Sequence, residues 1–333
     1  MKALIIHPAF LGDAIISLAL AEELRRLSPE SHISYLVRPE VYPVIKLSPS
    51  VDKVFAYDKY KTESGISGIQ KKANELNAEK FDAVFTLHTS KRTRLLLEKL
   101  DIPIKVGYGE YSELTHHVEE VSEPQTSRAI RLLQPIFSDL DLTNLPKLQS
   151  SGSALLKEIL ALPRPIIAIA PDSVWKTKEW GIEKFRKLIF KLSSAKYSIV
   201  VIGSDCKYSP IINDKFLNNN ILDLIAKTSL QELVSVIEHC DLLISNDSAP
   251  VHIATATRTS SLAILGPTVS EFGFAPPKDL GQVIEVENLW CRPCTSHGSN
   301  ECPIHTHECM LRISIEEVYE RAVKMLDIFA NGA

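Results

Sequence analysis

The sequence predicts an α/β fold of two doubly wound domains, and three observations carry that prediction. Short apolar runs of strand length alternate with segments of helical periodicity along nearly the whole chain. The alternation pauses at a polar, turn-rich stretch, DLTNLPKLQSSG from Asp141, and restarts with a new strand at Pro165. The length of 333 residues suffices for two domains of ordinary size. The predicted divisions are 1–150, 151–313 and a last amphipathic helix over 314–330.

The first element is Ala3-Leu4-Ile5-Ile6, an apolar run suited to a strand buried on both faces. His7, Pro8, Gly12 and Asp13 interrupt the apolar character that follows, so the segment does not read as a signal peptide. From Ala14 to Leu27 apolar residues recur at helical spacing, with Glu22, Glu23, Arg25 and Arg26 as the wet side. Gly12-Asp13 is then the expected turn between strand and helix, at the end of the sheet where open α/β proteins bind ligands. A simple helix cap is the competing role for Asp13.

Strands are predicted at His32–Val37, Val51–Tyr57, Asp82–Leu87 and Ile104–Val106, and helices over Gly68–Asn77, up to Leu100, and over Thr126–Leu140. In the second half, strands are predicted at Pro165–Ala170, Ser198–Ile202, Leu242–Ser245 and Ser261–Leu265. Helices are predicted over Gly181–Ser193 and Leu230–His239, from Pro250 to Thr255, and over Ser314–Phe329. No G-x-G-x-x-G follows the first strand, which argues against an ordinary dinucleotide domain and an oxidoreductase.

Composition is that of an ordinary globular protein, 45% hydrophobic and 23% charged. A net charge of −4 provides no general basic field for nucleic acid. No apolar run approaches the roughly 18 residues of a transmembrane helix, so any membrane role is expected to be peripheral. Of six cysteines, Cys206 and Cys240 sit in apolar, core-like sequence. Without a secretion signal, a reduced cytoplasmic compartment is expected.

Three further stretches carry chemistry. In PDSVWKTKEW (171–180), Ser173 and Lys178 follow a strand and precede a helix, where they can hold an anion such as a diphosphate; a solvated loop over a tucked tryptophan is the plainer alternative. In ISNDSAPVHIATA (244–256), a strand runs through Asn246-Asp247-Ser248 into a helix opened by Pro250, with His252 on its first turn. Asp247 is expected to cap that helix or hold a sugar hydroxyl, because a carboxylate beside a phosphate is unfavourable. The stretch CRPCTSHGSNECPIHTHEC places Cys291, Cys294, Cys302 and Cys309 among His297, His305 and His307. Its C-x2-C half suits structural zinc, but the second half matches no standard ligand set.

Taken in order, LGDAIISLALAEELRR, HTSKRTRLLLEKLDIPIKVGY, PDSVWKTKEWGIEKF, LIAKTSLQELVSVIEHCDLLISNDSAPVHIA, GPT and the cysteine-rich segment resemble glycosyltransferase family 9, the ADP-heptose:lipopolysaccharide heptosyltransferases, in the type II branch. The resemblance covers nearly the whole chain. It implies a GT-B fold, with two Rossmann-like domains facing across a cleft. The first would bind the acceptor, the second the nucleotide sugar, and the last helix would pack back on the first. It also implies metal-independent, inverting transfer of heptose from ADP-heptose to the lipid A–core acceptor, at the inner face of the inner membrane.

By the same resemblance Asp13 matches the catalytic base and Lys178 the lysine on the donor diphosphate. Ser173, Thr228, Asp247, Ser248, Ala249 and His252 match donor positions, and Asp205 a ribose-binding acid. Ala249 stands where the family usually has glycine. An anionic acceptor calls for cations, and Lys59, Lys61, Lys91, Arg92 and Arg94 are available, with Arg128 and Arg131 nearby; a solvated helix start is the alternative for SKRTR. A GT-B transferase with another donor, a sugar-nucleotide epimerase and a non-catalytic nucleotide-sugar-binding protein remain the other readings.

Overall fold

The computed structural model describes residues 1–88, 90–150, 152–211 and 220–331, without the side chains of 206, 209, 210 and 328–331; Cys206 therefore lies outside the described side chains. The chain divides into two compact units, Met1–Gln149 and Ser150–Ala333.

The first unit holds a six-stranded sheet of β1 (Lys2–Ile6), β2 (His32–Val37), β3 (Lys53–Ala56), β4 (Ala83–Thr86), β5 (Ile104–Tyr108) and β6 (His116–Val118). Their order is β3-β2-β1-β4-β5-β6, with every pairing parallel. Ala3 to Ile6 are fully buried, as a central strand of a sheet covered on both faces requires.

The helix Leu11–Leu27 follows β1 and packs against the helix Gln125–Arg131. Glu23, expected on its wet side, is fully buried instead. Burial works against its charge, but bonds from the Arg26 guanidinium (2.7 Å), the Asp141 N–H (2.7 Å) and the Asn144 amide (3.2 Å) outweigh it and hold the carboxyl below its usual range. Thus the segment read as a linker from Asp141 is anchored to the first helix. The helix expected to reach Leu140 ends as an α-helix at Arg131. Tighter i→i−3 turns follow, and they pass Pro135, which has no N–H to donate, to the Ile136 and Phe137 N–H groups on the Leu133 carbonyl.

The second unit repeats the plan with β7 (Ile166–Ala170), β8 (Ser198–Gly203), β9 (Ile221–Ile225), β10 (Leu242–Asn246), β11 (Ser260–Leu265) and β12 (Gly281–Glu285), in the order β12-β11-β10-β7-β8-β9 and again all parallel. In both units the first strand lies where the order reverses, between its second and fourth strands. That switch point, at the C-terminal ends of the strands, is where open sheets take ligands.

The last helix, Ile315–Asn331, packs on the helix Ile182–Ser194 of its own unit, and its Val318, Ala322 and Met325 join that unit's core. Trp180 links this core to the switch point. Its N–H donates to the Asn246 side chain at 3.1 Å, its indole donates to the Ile313 carbonyl at 3.0 Å, and its ring meets Phe185 edge-on at 5.0 Å. Trp180→Ala should cost about 3–5 kcal/mol, the usual penalty for removing a buried tryptophan. Urea titration would show it as a lower midpoint at unchanged m-value; a loss below about 1 kcal/mol would contradict this linking role.

Candidate functional site

In the second unit, three loops at the switch point are tied by two side chains from the end of β10. Asn246, the last residue of that strand, donates its amide to the Pro171 carbonyl after β7 (2.7 Å) and accepts from Trp180 N–H. The Asp247 carboxylate accepts from Lys178 Nζ at 2.6 Å and from Thr268 Oγ1 at 2.7 Å, joining the loops after β7, β10 and β11. The Lys178 and Asp247 side chains are only 12% and 10% exposed, so this ion pair is largely removed from solvent.

This corrects the expectation that Asp247 caps the following helix. The helix Ala249–Thr257 has Ser248 as its N-cap residue, without a side-chain cap bond, and Asp247 pairs with lysine rather than capping. Its negative charge is thereby offset beside the helix N-terminus, where Pro250 has no N–H and the Val251 N–H donates to the Ser248 carbonyl at 3.0 Å, so that helix end favours an anion chiefly through its dipole. Ala249 is not among the residues at positive φ, so its methyl group sits on ordinary helical backbone and that position needs no glycine conformation. His252 is 9% exposed on the first turn, 6.3 Å from the Phe274 ring. Burial pushes its pKa down to about 4, against the pull of Asp247, so it is neutral near pH 7.

The remaining donor candidates are more loosely held. Ser173 Oγ accepts from the Trp175 N–H at 3.3 Å, Ser248 Oγ lies 3.3 Å from Ser245 Oγ, and Thr228 is half-buried just before the helix Leu230–Glu238. Asp205 is exposed and bound to its own loop through the Lys207 N–H (2.9 Å) and ammonium (3.3 Å). Thr268, Asn246 and Asp172 were not singled out from the sequence. Asp172 accepts from both N–H and Oγ of Ser204, tying the loop after β7 to that after β8. Asn246 and Asp172 are signalled by position alone, at or within two residues of the ends of β10 and β7, and Thr268 lies in the GPT stretch three residues after β11.

The cysteine-rich segment braces this site. Thr177, inside the turn Lys176–Lys178, exchanges three hydrogen bonds of 2.8–3.0 Å with Ser299, and its carbonyl lies 2.8 Å from His307 Nε2. Gly298, at φ +101°, lies so close to Trp175 that a Cβ would come within 2.8 Å of that side chain. Arg292 donates to the Thr268 carbonyl at 2.6 Å, and Cys294 N–H to that of Pro267 at 3.1 Å. Cys309 is buried in the core, and burial pushes its thiol up to about 11. Among the described residues no three His, Cys, Asp or Glu side chains converge as a metal-ligand group, so the zinc expectation for Cys291, Cys294, Cys302 and Cys309 finds no support.

In the first unit, Asp13 lies in the first turn of the helix Leu11–Leu27, whose N-cap is Phe10 without a side-chain cap bond. Asp13 is therefore not the cap, and Gly12 is helical and not at positive φ. The chain turns earlier, at His7–Ala9, where the Ala9 N–H donates to the His7 carbonyl at 2.8 Å. Proline at position 8 favours such an early turn.

The cationic candidates separate. Lys59 is 8% exposed and donates to the Pro8 carbonyl at 2.7 Å, beside the turn after β1. Arg92 reaches the Glu63 carbonyl (3.2 Å) and Tyr57 hydroxyl (3.3 Å). Lys61 and Lys91 are exposed, the latter opening a helix capped by Ser90. Arg94 pairs with Glu113 at 3.2 Å and stacks on Tyr111. Arg128 pairs with Glu120 and Arg131 with Glu123, each at 2.6 Å.

Two outcomes follow. Lys178→Ala should leave Asp247 buried and unpaired, lowering stability and weakening ADP binding by at least about tenfold, given ~1.5–3 kcal/mol for a charge-assisted contact. The double variant Lys178→Met, Asp247→Leu should recover stability but not ADP affinity in calorimetric titration; recovery of both would deny Lys178 a binding role. Separately, His252 and His88 are pushed by burial to about 4 and His7 to about 3. Between these values and the ordinary 6.5 the unfolded chain binds more protons, so stability is full above pH ~6.5 and falls as pH drops through the folded values. Melting temperature should decline between pH ~6.5 and ~5; a flat or rising profile would contradict the buried neutral state.

The family model for glycosyltransferase family 9 (heptosyltransferase) matches residues 69–305. A lipooligosaccharide heptosyltransferase 2 from Campylobacter jejuni is 26% identical, with 98% of each chain covered. Among solved structures, a glycosyl transferase family 9 protein from Veillonella parvula superposes with a TM-score of 0.84 at 22% identity, over 98% of this chain and 97% of that one. ADP-heptose lps heptosyltransferase II from E. coli gives 0.79 at 21% identity, with both chains covered completely.

Proposed function

We infer the reaction from one premise: the chain belongs to glycosyltransferase family 9, the heptosyltransferases. It is a glycosyltransferase that moves heptose onto the lipopolysaccharide core, with ADP-heptose as donor. The observation that carries the donor reading is the Lys178–Asp247–Thr268 network beside the N-terminus of the helix Ala249–Thr257. It combines an oriented ammonium, a neutralised carboxylate and the positive end of a helix dipole, features that suit a diphosphate. The second unit is then the nucleotide-sugar domain and the first the acceptor domain.

In this reading Asp13 takes the proton of the acceptor hydroxyl as its oxygen attacks the anomeric carbon. The bond from that carbon to the diphosphate oxygen breaks, its electron pair leaves with ADP, and the anomeric configuration inverts. Lys178 and the helix N-terminus stabilise the charge that develops on the leaving group, so the chemistry requires no metal. Ser173, Thr228, Ser248, Ala249 and His252 line the donor, and Asp205 turns from Lys207 to the ribose. Lys59, Lys61, Lys91 and Arg92 serve the anionic acceptor. Among the described residues no helix is long and apolar enough to cross a membrane. We place the enzyme in the cytoplasm, in peripheral contact with the inner membrane where its lipid A–core acceptor is made.

Asp13→Asn tests the base. Asparagine keeps the size but cannot take the proton at neutral pH. Turnover should fall by about 10²–10⁴-fold, the usual contribution of a general base. The ADP dissociation constant should stay within about twofold, because the donor network belongs to the other unit. Near-normal turnover on folded protein would remove Asp13 from the chemistry.

A further inference from the structure

The first unit holds a group that the reaction above does not use. His7 immediately follows β1, and His88 lies two residues beyond β4, so the two imidazoles flank the switch point of that sheet. Their ring centroids are 6.4 Å apart, tilted by 52°. His7 is 9% exposed, and its Nδ1 is buried without a hydrogen-bond partner among the described residues. A buried nitrogen left unpaired is unfavourable, and a bound ligand would relieve it. His88 is held in place, its Nδ1 2.8 Å from Thr93 Oγ1 and its backbone N–H on Thr86 Oγ1.

Charge defines what this place would receive. Lys59 is buried and tied to the Pro8 carbonyl beside His7, and Arg128 stacks on Tyr108, the last residue of β5, the strand next to β4. Glu120, 65% exposed, offsets part of the Arg128 charge. Burial and these cations keep His7 and His88 neutral near pH 7, so each ring presents one N–H donor and one lone pair. Two cations and two N–H donors around one sheet end match a small oxyanion, a carboxylate or a phosphate.

We propose that His7, His88, Lys59 and Arg128 form an oxyanion subsite at the β1–β4 switch point, which binds a carboxylate or phosphate group carried by the acceptor. The assignment to the acceptor rests on the function proposed above; the oxyanion site itself does not. His7, six residues before Asp13, would then anchor the acceptor by a group remote from the hydroxyl that reacts. His7 and His88 are binding residues for that anion and take no part in the proton transfer.

The test uses the full chain. Inorganic phosphate and acetate are titrated in separate arms while the histidine ring signals are followed by NMR, with ADP and acceptor absent. A saturable movement of the His7 and His88 signals is expected, and the arm with the lower half-saturation identifies the anion. In His7→Leu, which removes the unpaired nitrogen, that response should vanish while the melting temperature holds or rises. Acceptor KM should rise tenfold or more, with donor KM and kcat at saturating acceptor within about threefold. His88→Gln, at a half-buried position, should raise acceptor KM in the same way and guards against misfolding of the first variant. Absence of a saturable response in both arms would overturn the proposal. So would a His7→Leu protein that melts several degrees lower with both KM values shifted together, which marks a packing role. A chain that shows the anion response but transfers no heptose from ADP-heptose would refute the proposed function and leave the subsite standing.

Discussion

The arrangement of the second unit depends on one buried ion pair. Lys178 comes from the loop after β7 and Asp247 from the end of β10, and their contact at 2.6 Å spans the reversal in strand order. Taking two charges out of water is costly, and the attraction between them recovers that cost only with good geometry and further hydrogen bonds. Thr268 supplies one such bond from the loop after β11, and its carbonyl is held in turn by Arg292. The turn that carries Lys178 is fixed through Thr177 to Ser299. The segment 291–309 is therefore part of the geometry of the pair, although it is remote from it in sequence. A pair this demanding, placed beside a helix N-terminus, is better understood as positioning an ammonium than as adding stability.

Most of the fold was legible because a parallel sheet covered on both faces leaves a plain record. Its central strands are short apolar runs, and β1, β2, β7, β8, β10 and β11 were placed within a residue or two for that reason. The strands that escaped, β6, β9 and β12, are sheet edges. An edge strand pairs on one side only, so HHV, ILDLI and GQVIE need no continuous apolar run. Glu23 was misplaced for a different reason. Helical periodicity sorts apolar from polar residues, but it cannot show that a distant segment, Asp141 to Asn144, returns to satisfy a buried carboxylate.

The candidate site was legible to the extent that it follows strand ends. Lys178, Asp247, Ser248 and His252 stand where a strand gives way to a turn or helix, and the structure brings Lys178, Asp247 and His252 together. What the sequence did not reveal was pairing. Asp247 read as a cap because Asp before a helix usually is one, and Asp13 for the same reason; both helices instead start without a side-chain cap bond. Arg94 read as an available cation, yet Glu113 lies 19 positions on and claims it. Local sequence states which groups are present at a strand end, whereas the partner that fixes each one comes from another strand.

The two sheets share one strand order and differ in what their switch points expose. In the second unit the polar groups are largely satisfied by each other: an ammonium on a carboxylate, a carboxylate on a hydroxyl, an amide on a carbonyl. Such a site is preorganised, so in the proposed function a leaving group entering it would meet charge that needs no rearrangement. In the first unit the corresponding position holds neutral rings, one of them with an unpaired nitrogen, and a lysine that spends one of its three donors on the Pro8 carbonyl. That place keeps hydrogen-bonding capacity in reserve. Under the proposed function, the contrast corresponds to a division of labour in which one unit would stabilise a charge created during reaction, while the other would recognise a charge that its substrate already carries.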